Sequence, residues 1–127
     1  MSLFLLIVWG IFMKTDRLVL ICILIFEIGV ILFYGMPIVF QTPSFVLEIK
    51  SDSMSPVLKT GDYVLVDGRD YPEIGDIIAF YDSSSGDIVV HRIVDESGNC
   101  FITKGDNSLM EDFFNPCPSY VLGIVRG

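Results

Sequence analysis

The sequence is poor in histidine, cysteine and basic side chains. Its 127 residues include one histidine, three cysteines and eight Lys and Arg, and the cysteine spacing fits no zinc pattern. Residues 41–127 hold six basic and fourteen acidic side chains, which account for the whole net charge of −8. Such a surface repels phosphate backbones. The sequence therefore predicts no metal or other cofactor and no nucleic-acid partner.

Charge is also scarce near the N-terminus, where residues 18–40 form an apolar run with one ionisable side chain, Glu27. As a helix this run would be roughly 34 Å long, which is enough to cross a bilayer. Lys14 and Arg17 precede it and acidic segments follow, so the positive-inside rule places residues 1–17 in the cytoplasm. The run exceeds the apolar core of a cleavable signal peptide and lacks a small-x-small site. We therefore expect residues 18–40 to be an uncleaved anchor that spans the lipid bilayer.

Two features of this N-terminal part each allow two interpretations. Glu27 lies near mid-bilayer, where a charge is costly; it either contacts a companion membrane subunit or is protonated and tolerated. Residues 1–13 are apolar but too short to span comfortably, so they lie in the interface, or else Met13 is the true start of the protein. Residues 1–17 are thus predicted to be a short cytoplasmic or interfacial segment.

Residues 41–127 show short apolar runs bounded by turn residues, a pattern typical of an antiparallel β domain. We predict a mainly β fold with strands at 45–50, 63–66, 76–81, 88–94, 100–104 and 120–125. Four Gly-Asp steps, at 61, 75, 86 and 105, mark turns between them. Cys100 and Cys117 both fall in this domain, and the sequence leaves open whether they are bridged.

The chemistry of the domain centres on Ser53, in the run Ser-Asp-Ser-Met-Ser-Pro at 51–56, and on the sole histidine, His91. A serine hydroxyl is a poor nucleophile unless a base lies within hydrogen-bond reach and a third group orients that base. Strand alternation puts Val89, His91 and Ile93 on one buried face, where an imidazole needs polar partners. Asp106 and Asp112 are the nearby carboxylates that the sequence offers.

The ordered motifs resemble type I signal peptidases of the archaeal and endoplasmic-reticulum branch. The resemblance covers nearly all of the chain: the anchor, Ser-Asp-Ser-Met-Ser-Pro at 51–56, Gly-Asp-Tyr-Val-Leu-Val at 61–66, Gly-Asp-Ile-Ile-Ala-Phe at 75–80, Val-His-Arg-Ile-Val at 90–94 and Lys-Gly-Asp-Asn at 104–107. The bacterial branch has lysine at the position of the histidine. Ser108 and Asp52 depart from the pattern, which usually has asparagine and glycine there.

The resemblance implies a role for each matching residue. Ser53 would be the nucleophile, His91 the general base and Asp112 the third member of a triad, with Asp106 in a supporting role. Whether Asp106 or Asp112 is the triad carboxylate stays open. The Ser53 backbone N–H and the Ser51 hydroxyl would form the oxyanion hole.

The resemblance also implies the substrates, the membrane and an orientation. Signal peptides of preproteins would bind as extended chains along strand edges near 45–50 and 78–82, with small residues at the first and third positions before the cut. The β domain would lie outside the cytoplasm, on the cell membrane of an archaeon or on the endoplasmic-reticulum membrane. Phe113 and Phe114 are expected in the core rather than against lipid.

Two interpretations compete with a peptidase. Self-cleaving repressor-type proteins share this fold and use a Ser-Lys dyad, for which Lys104 is a candidate, but they carry a DNA-binding region that this acidic chain cannot provide. The more serious alternative is a catalytically silent, membrane-anchored β module that binds partner proteins, with His91 merely buried.

Overall fold

A computed structural model describes residues 2–14 and 16–127, and these residues divide into two compact units between Met36 and Pro37. Two helices come first: α1 at Leu3–Lys14 and α2 at Arg17–Phe40. Neither contains a buried residue. Within the described part of the chain, α2 is the one helix long and apolar enough to cross a membrane, by length and composition.

Helix α2 ends in a Schellman motif formed without glycine. Gln41 has a φ of 52°, and its amide N–H donates to the Ile38 carbonyl at 3.3 Å. The Thr42 amide N–H donates to the Pro37 carbonyl at 3.1 Å. These two bonds satisfy carbonyls that the helix end would otherwise leave unpaired. The chain therefore leaves the helix abruptly, five residues before the first strand begins.

All six predicted strands form, and every pair is antiparallel, which confirms the mainly β fold. Their order in the sheet is β1-β2-β6-β3-β4-β5, and a short 3₁₀ helix at Pro118–Tyr120 precedes the last strand. The strands are β1 at Val46–Glu48, β2 at Tyr63–Asp67, β3 at Ile77–Asp82, β4 at Asp87–Ser97, β5 at Cys100–Lys104 and β6 at Val121–Val125.

The apolar side chains form two clusters. Neighbouring residues of β3, Ile77 and Ile78, join different clusters, as alternation along a strand requires. The buried members of the first cluster are Ile78, Phe80, Ile93, Phe101 and Ile124. Those of the second are Ile49, Met54, Leu58 and Val64.

The Gly-Asp steps act as turns where glycine takes a positive φ. Gly61 and Gly75 have φ of 93° and 99°. The aspartates that follow them, Asp62 and Asp76, each accept a backbone N–H from three residues earlier at 2.9 Å. This is the turn chemistry that the sequence predicts. Gly105 does not share the positive φ, and space rather than backbone angle explains its presence.

One open question and three expectations meet a definite outcome in the β domain. Cys100 and Cys117 form a disulfide, which the sequence had left open. Phe114 packs against Phe80 and Tyr120, as expected, but the expectation for Phe113 was wrong because its side chain is fully exposed. The strand edge expected near 78–82 was also wrong, because β3 is paired with β4 on one side and β6 on the other.

Candidate active site

Ser53 lies in the turn region between β1 and β2, beside a buried anchor. The next residue, Met54, is 1% exposed and belongs to the second apolar cluster. The Ser55 amide N–H donates to the Asp52 carbonyl at 3.0 Å, and the Leu58 amide N–H donates to the Met54 carbonyl at 3.0 Å. A buried neighbour and two local backbone bonds therefore restrict where the Ser53 hydroxyl can lie.

His91, on β4, bridges Ser53 and Asp112. Its Nε2 is 3.0 Å from Ser53 Oγ, and its Nδ1 is 2.5 Å from Asp112 Oδ2. The imidazole is 13% exposed and the Asp112 side chain 22% exposed. An ionised carboxylate can only accept hydrogen bonds, so it fixes the proton on Nδ1 and leaves the Nε2 lone pair directed at the serine. A histidine that faces a hydroxyl and a carboxylate in this way can activate the hydroxyl as a nucleophile.

Asp112 reaches the histidine because its segment runs alongside β5. The Asp112 amide N–H donates to the Thr103 carbonyl, and the Phe101 amide N–H donates to the Pro116 carbonyl, each at 2.8 Å. The Cys100–Cys117 disulfide closes the end of this segment. The Thr103 hydroxyl also donates to Asp112 Oδ2, at 2.7 Å. Although Asp112 lies outside the regular strands, backbone, side-chain and covalent links thus hold it in place.

Asp106 makes a different contact. Its two carboxylate oxygens accept from Arg92 Nε at 2.9 Å and from Arg92 Nη2 at 2.8 Å. The same guanidinium donates through Nη1 to the Gly75 carbonyl at 2.8 Å. The hydrogen bond from Arg92 holds the pKa of Asp106 below its ordinary value. Asp106 therefore braces the residue next to His91 on β4, whereas Asp112 contacts the imidazole itself.

The Gly-Asp-Asn segment holds the backbone of the serine turn. The Asn107 amide N–H donates to the Ser53 carbonyl at 2.8 Å, and Asn107 Nδ2 donates to the Asp52 carbonyl at 3.1 Å. A Cβ on Gly105 would lie 2.6 Å from the Ser53 carbonyl oxygen and 3.2 Å from His91 Nε2. Only a residue without a side chain allows this close approach.

The Ser51 hydroxyl and the Asp52 carboxylate of the turn also have partners. Ser51 Oγ lies 3.1 Å from Ser53 Oγ. Asp52, which the sequence placed beside the nucleophile, accepts from the Thr60 hydroxyl at 2.8 Å. In the described ranges, 2–14 and 16–127, no three His, Cys, Asp or Glu side chains gather in a way that could hold a metal ion.

An open groove of about 370 Å³ adjoins Ser53 and His91. One wall comes from residues 48–51, at and after the edge strand β1, and the other from residues 87–91 of β4. Pairing with β5 begins only at Arg92, so, as far as the structure describes the chain, residues 87–91 are paired through β3 alone. The groove therefore has two exposed strand edges, β1 and residues 87–91 of β4. The edge of β4 takes the place of the edge that was expected at 78–82.

Sequence reasoning did not single out Thr103 or the backbone bond of Asn107. Thr103 is a fully buried polar residue in an apolar strand, and that alone is a signal, because a buried hydroxyl needs a partner. The Asn107 bond joins residues that are far apart in sequence, and no local pattern reveals it.

Comparison with known proteins gives a consistent family assignment. The Peptidase S24-like family matches residues 31–119. The chain is 28% identical over 96 residues to the signal peptidase complex catalytic subunit SEC11 of Fusarium vanettenii, covering 70% of this chain and 56% of that protein. It is 30% identical over 107 residues to the SEC11 of Eremothecium gossypii, covering 73% and 64% of the two chains.

A third relative, the SEC11 of Yarrowia lipolytica, is 26% identical over 116 residues, covering 81% of this chain and 67% of that protein. The chain thus spans 56% of the length of the Fusarium relative and somewhat more of the other two. The family match covers more than half of the chain and includes both sides of the groove. The chain therefore belongs to the Peptidase S24-like family, and within it resembles signal peptidases of the endoplasmic-reticulum and archaeal branch.

Proposed function

We propose that the protein is a membrane-bound serine endopeptidase that removes signal peptides from preproteins. The observation that carries the proposal is the contact of Ser53, His91 and Asp112, of which Ser53 and His91 line an open groove. The similarity to catalytic subunits named for a signal peptidase complex supports the choice of substrate.

In the proposed reaction, Ser53 Oγ attacks the carbonyl carbon before the cut while its proton passes to His91 Nε2. The carbon–nitrogen bond then breaks, and the imidazolium gives this proton to the leaving amine. Water attacks the acyl-enzyme in the same way and releases the signal peptide. Asp112 holds the imidazole in the correct tautomer and stabilises its charged form.

The Ser53 N–H and the Ser51 hydroxyl are the proposed donors to the tetrahedral oxyanion. Loss of one such donor typically costs about 2.7 to 4 kcal/mol of transition-state stabilisation, or about a hundred- to a thousandfold in kcat. Ser51→Ala should slow cleavage by that factor and leave the thermal unfolding midpoint unchanged. A normal kcat in this variant would remove Ser51 from the oxyanion hole.

The groove suits an extended peptide. The free edge of β1 and the start of β4 both offer main-chain groups that a bound strand could pair with, and side chains of the peptide alternate toward and away from the floor. Such pairing gives affinity that does not depend on the sequence of the peptide. The size of the pockets beside Ser53 would therefore select small residues before the cut.

The anchor would keep this groove near its substrates. We infer that residues 18–40 cross the bilayer. Residues 1–17 would stay in the cytoplasm, and residues 41–127 would lie on the opposite, non-cytoplasmic side of the membrane. A preprotein still held in the membrane then meets the site at high effective concentration. Reaction of single introduced cysteines, one before and one after the anchor, with an impermeant thiol reagent tests this orientation; labelling on the same side would exclude it.

Companion subunits are part of the proposal, since the relatives carry the name of a complex. Glu27, in the middle of α2, is the proposed contact because an ionisable group at that depth needs a partner. Glu27→Leu should weaken co-purification of a second membrane subunit. Unchanged co-purification would leave Glu27 without this role.

The decisive experiment is cleavage of a purified preprotein in detergent by the full chain. Ser53→Ala and His91→Ala should lose activity by about a thousandfold or more, and Asp112→Asn by a large factor as well. Asp106→Asn should lose less. Ser119→Ala and Asp95→Asn, both at exposed positions, are matched controls that should cleave normally.

Three outcomes would change the proposal. Full activity of Ser53→Ala would exclude Ser53 as the nucleophile. No cleavage by the wild type, together with tight binding of partner proteins, would favour the catalytically silent module. Equal loss in Asp106→Asn with little loss in Asp112→Asn would exchange the roles of the two carboxylates.

A further inference from the structure

Thr103 is completely buried, yet its side chain is polar. It lies on β5 opposite Ile93 of β4, two residues along the strand from His91. Directly opposed residues of an antiparallel pair point to the same face of the sheet. Its hydroxyl therefore extends from the same face as the imidazole, in the interior beside Asp112.

Thr103 holds Asp112 by both its main chain and its side chain. Its carbonyl accepts the Asp112 amide N–H at 2.8 Å, and its hydroxyl donates to Asp112 Oδ2 at 2.7 Å. Oδ2 is also the oxygen that faces His91 Nδ1. Two donors thus meet one carboxylate oxygen.

This shared oxygen has two physical consequences. The terminal torsion angle of an aspartate side chain has a broad distribution, so a single hydrogen bond from a histidine leaves it poorly fixed. A second donor on a rigid strand narrows the range of this torsion angle. A donor to a carboxylate also stabilises its negative charge. Both effects act on the imidazole through Asp112, since the Thr103 hydroxyl bonds the carboxylate and not the ring.

We propose that Thr103 is a positioning residue, whose buried hydroxyl fixes and tunes the Asp112 carboxylate that orients His91. This inference rests on the proposed peptidase function. It extends the site by a fourth side chain that contacts neither the serine nor the bond to be cut. The methyl group of Thr103 fills space in the core, and the hydroxyl alone serves the site.

The variant Thr103→Val tests the hydroxyl, because valine has nearly the same shape. A hydrogen bond to a charged group justifies an expected fall in kcat of about ten- to a hundredfold, with KM within about twofold of the wild type. The carboxylate that has lost one donor attracts the imidazolium more strongly, so the acid limb of the kcat profile should move to higher pH. Thr103→Ser, which keeps the hydroxyl, should restore kcat and the acid limb.

A matched control separates this role from ordinary core stability. Thr42 is also buried, at 3% exposure, and its hydroxyl accepts the Ser44 amide N–H at 3.3 Å in the segment after α2. Thr42→Val should lower the unfolding midpoint and leave kcat and the pH profile unchanged. If Thr103→Val behaves in the same way as Thr42→Val, Thr103 is only structural and the inference is overturned.

A second measurement does not depend on cleavage. His91 is the only histidine, so the NMR titration of its ring nitrogens in ¹⁵N-labelled protein is unambiguous. Thr103→Val should shift the titration midpoint to higher pH, and Thr103→Ser should return it. An unshifted midpoint overturns the inference even if the wild type cleaves preproteins, whereas a wild type without cleavage but with the expected shift contradicts only the proposed function.

Discussion

At the scale of single residues, Gly105 allows the serine turn and the histidine to meet. It follows Lys104, the β5 residue that pairs with Arg92 of β4, and so lies beside His91. A side chain there would press against the Ser53 carbonyl oxygen, which is backbone and cannot rotate away. The absence of a side chain at position 105 is therefore necessary for the contact between Ser53 and His91.

Gly105→Ala should therefore reduce cleavage sharply. The added methyl group must push the Ser53 turn away from the imidazole, and a displacement of about 1 Å at a catalytic group can cost about a hundredfold in rate. Steady-state kinetics with a preprotein measures the loss. Gly29→Ala, where the added Cβ would meet nothing within 4 Å, is the control. A wild-type kcat in Gly105→Ala would contradict the close approach of Ser53.

Asp106 and Asp112 show why the carboxylate question was open from sequence alone. Asp106 lies within the Lys-Gly-Asp-Asn motif and Asp112 follows it, so both come soon after His91 in the chain. Asp106 accepts two hydrogen bonds from Arg92, and Asp112 is directed at the ring by contacts with Thr103. The direction of each side chain depends on partners from other strands, which spacing along the chain does not give.

At the scale of elements, the segment 105–117 carries Asp112 and is fastened at both ends. The Asn107 amide bonds the Ser53 carbonyl near its start, and the Cys100–Cys117 disulfide closes its end against β5. A segment with so little regular structure depends on such links for a fixed position. The link most easily removed by experiment is the disulfide.

Removing the disulfide should destabilise the β domain and weaken catalysis together. The two cysteines are 17 residues apart, and a loop of about this length predicts a loss of about 3 kcal/mol in the free energy of unfolding. Cys100→Ala with Cys117→Ala, followed by thermal unfolding and kinetic assays, measures both effects. Cys22→Ala is the control, since Cys22 is free. An unchanged unfolding midpoint would show that the bridge does not constrain the unfolded chain.

Local pattern was sufficient to predict where strands occur, and it was insufficient to predict which strands are neighbours. Alternation of apolar and polar residues, together with the Gly-Asp turns, located all six strands. Both signals depend only on residues that are close together in the sequence. The expected edge at 78–82 failed because β6, at the far end of the chain, pairs with β3. The expectation that Phe113 is in the core was wrong for a related reason. Its neighbour Phe114 takes the core position, and the two side chains point in different directions.

At the scale of the whole molecule, the acidic side chains determine the response to pH. Asp67 is buried at the end of β2 and accepts two hydrogen bonds from the Arg69 side chain, at 2.9 and 2.8 Å. These bonds lower the pKa of Asp67 from 3.8 to about 2. Arg92 lowers the pKa of Asp106 in the same direction. Both carboxylates are therefore ionised in the folded protein at a pH where the unfolded chain has begun to bind protons.

Activity and folding should consequently fail at different pH values. A protonated His91 cannot accept the proton of Ser53. Cleavage should therefore fall as the solution is made acidic, at pH values where near-ultraviolet circular dichroism still shows an intact fold. A flat acid limb would indicate a base other than His91.

The stability that Asp67 contributes should disappear only in stronger acid. Because its folded pKa of about 2 lies below the ordinary 3.8, its contribution is complete above the ordinary value and is lost as the pH falls toward the folded one. Asp67→Asn should therefore be less stable than the wild type by a constant amount at neutral and mildly acidic pH, and the difference should shrink below about pH 4. Denaturant unfolding across this range measures it, with Asp95→Asn as the exposed control. A difference that stays the same down to about pH 2 would mean that Asp67 stabilises the fold by packing rather than by its charge.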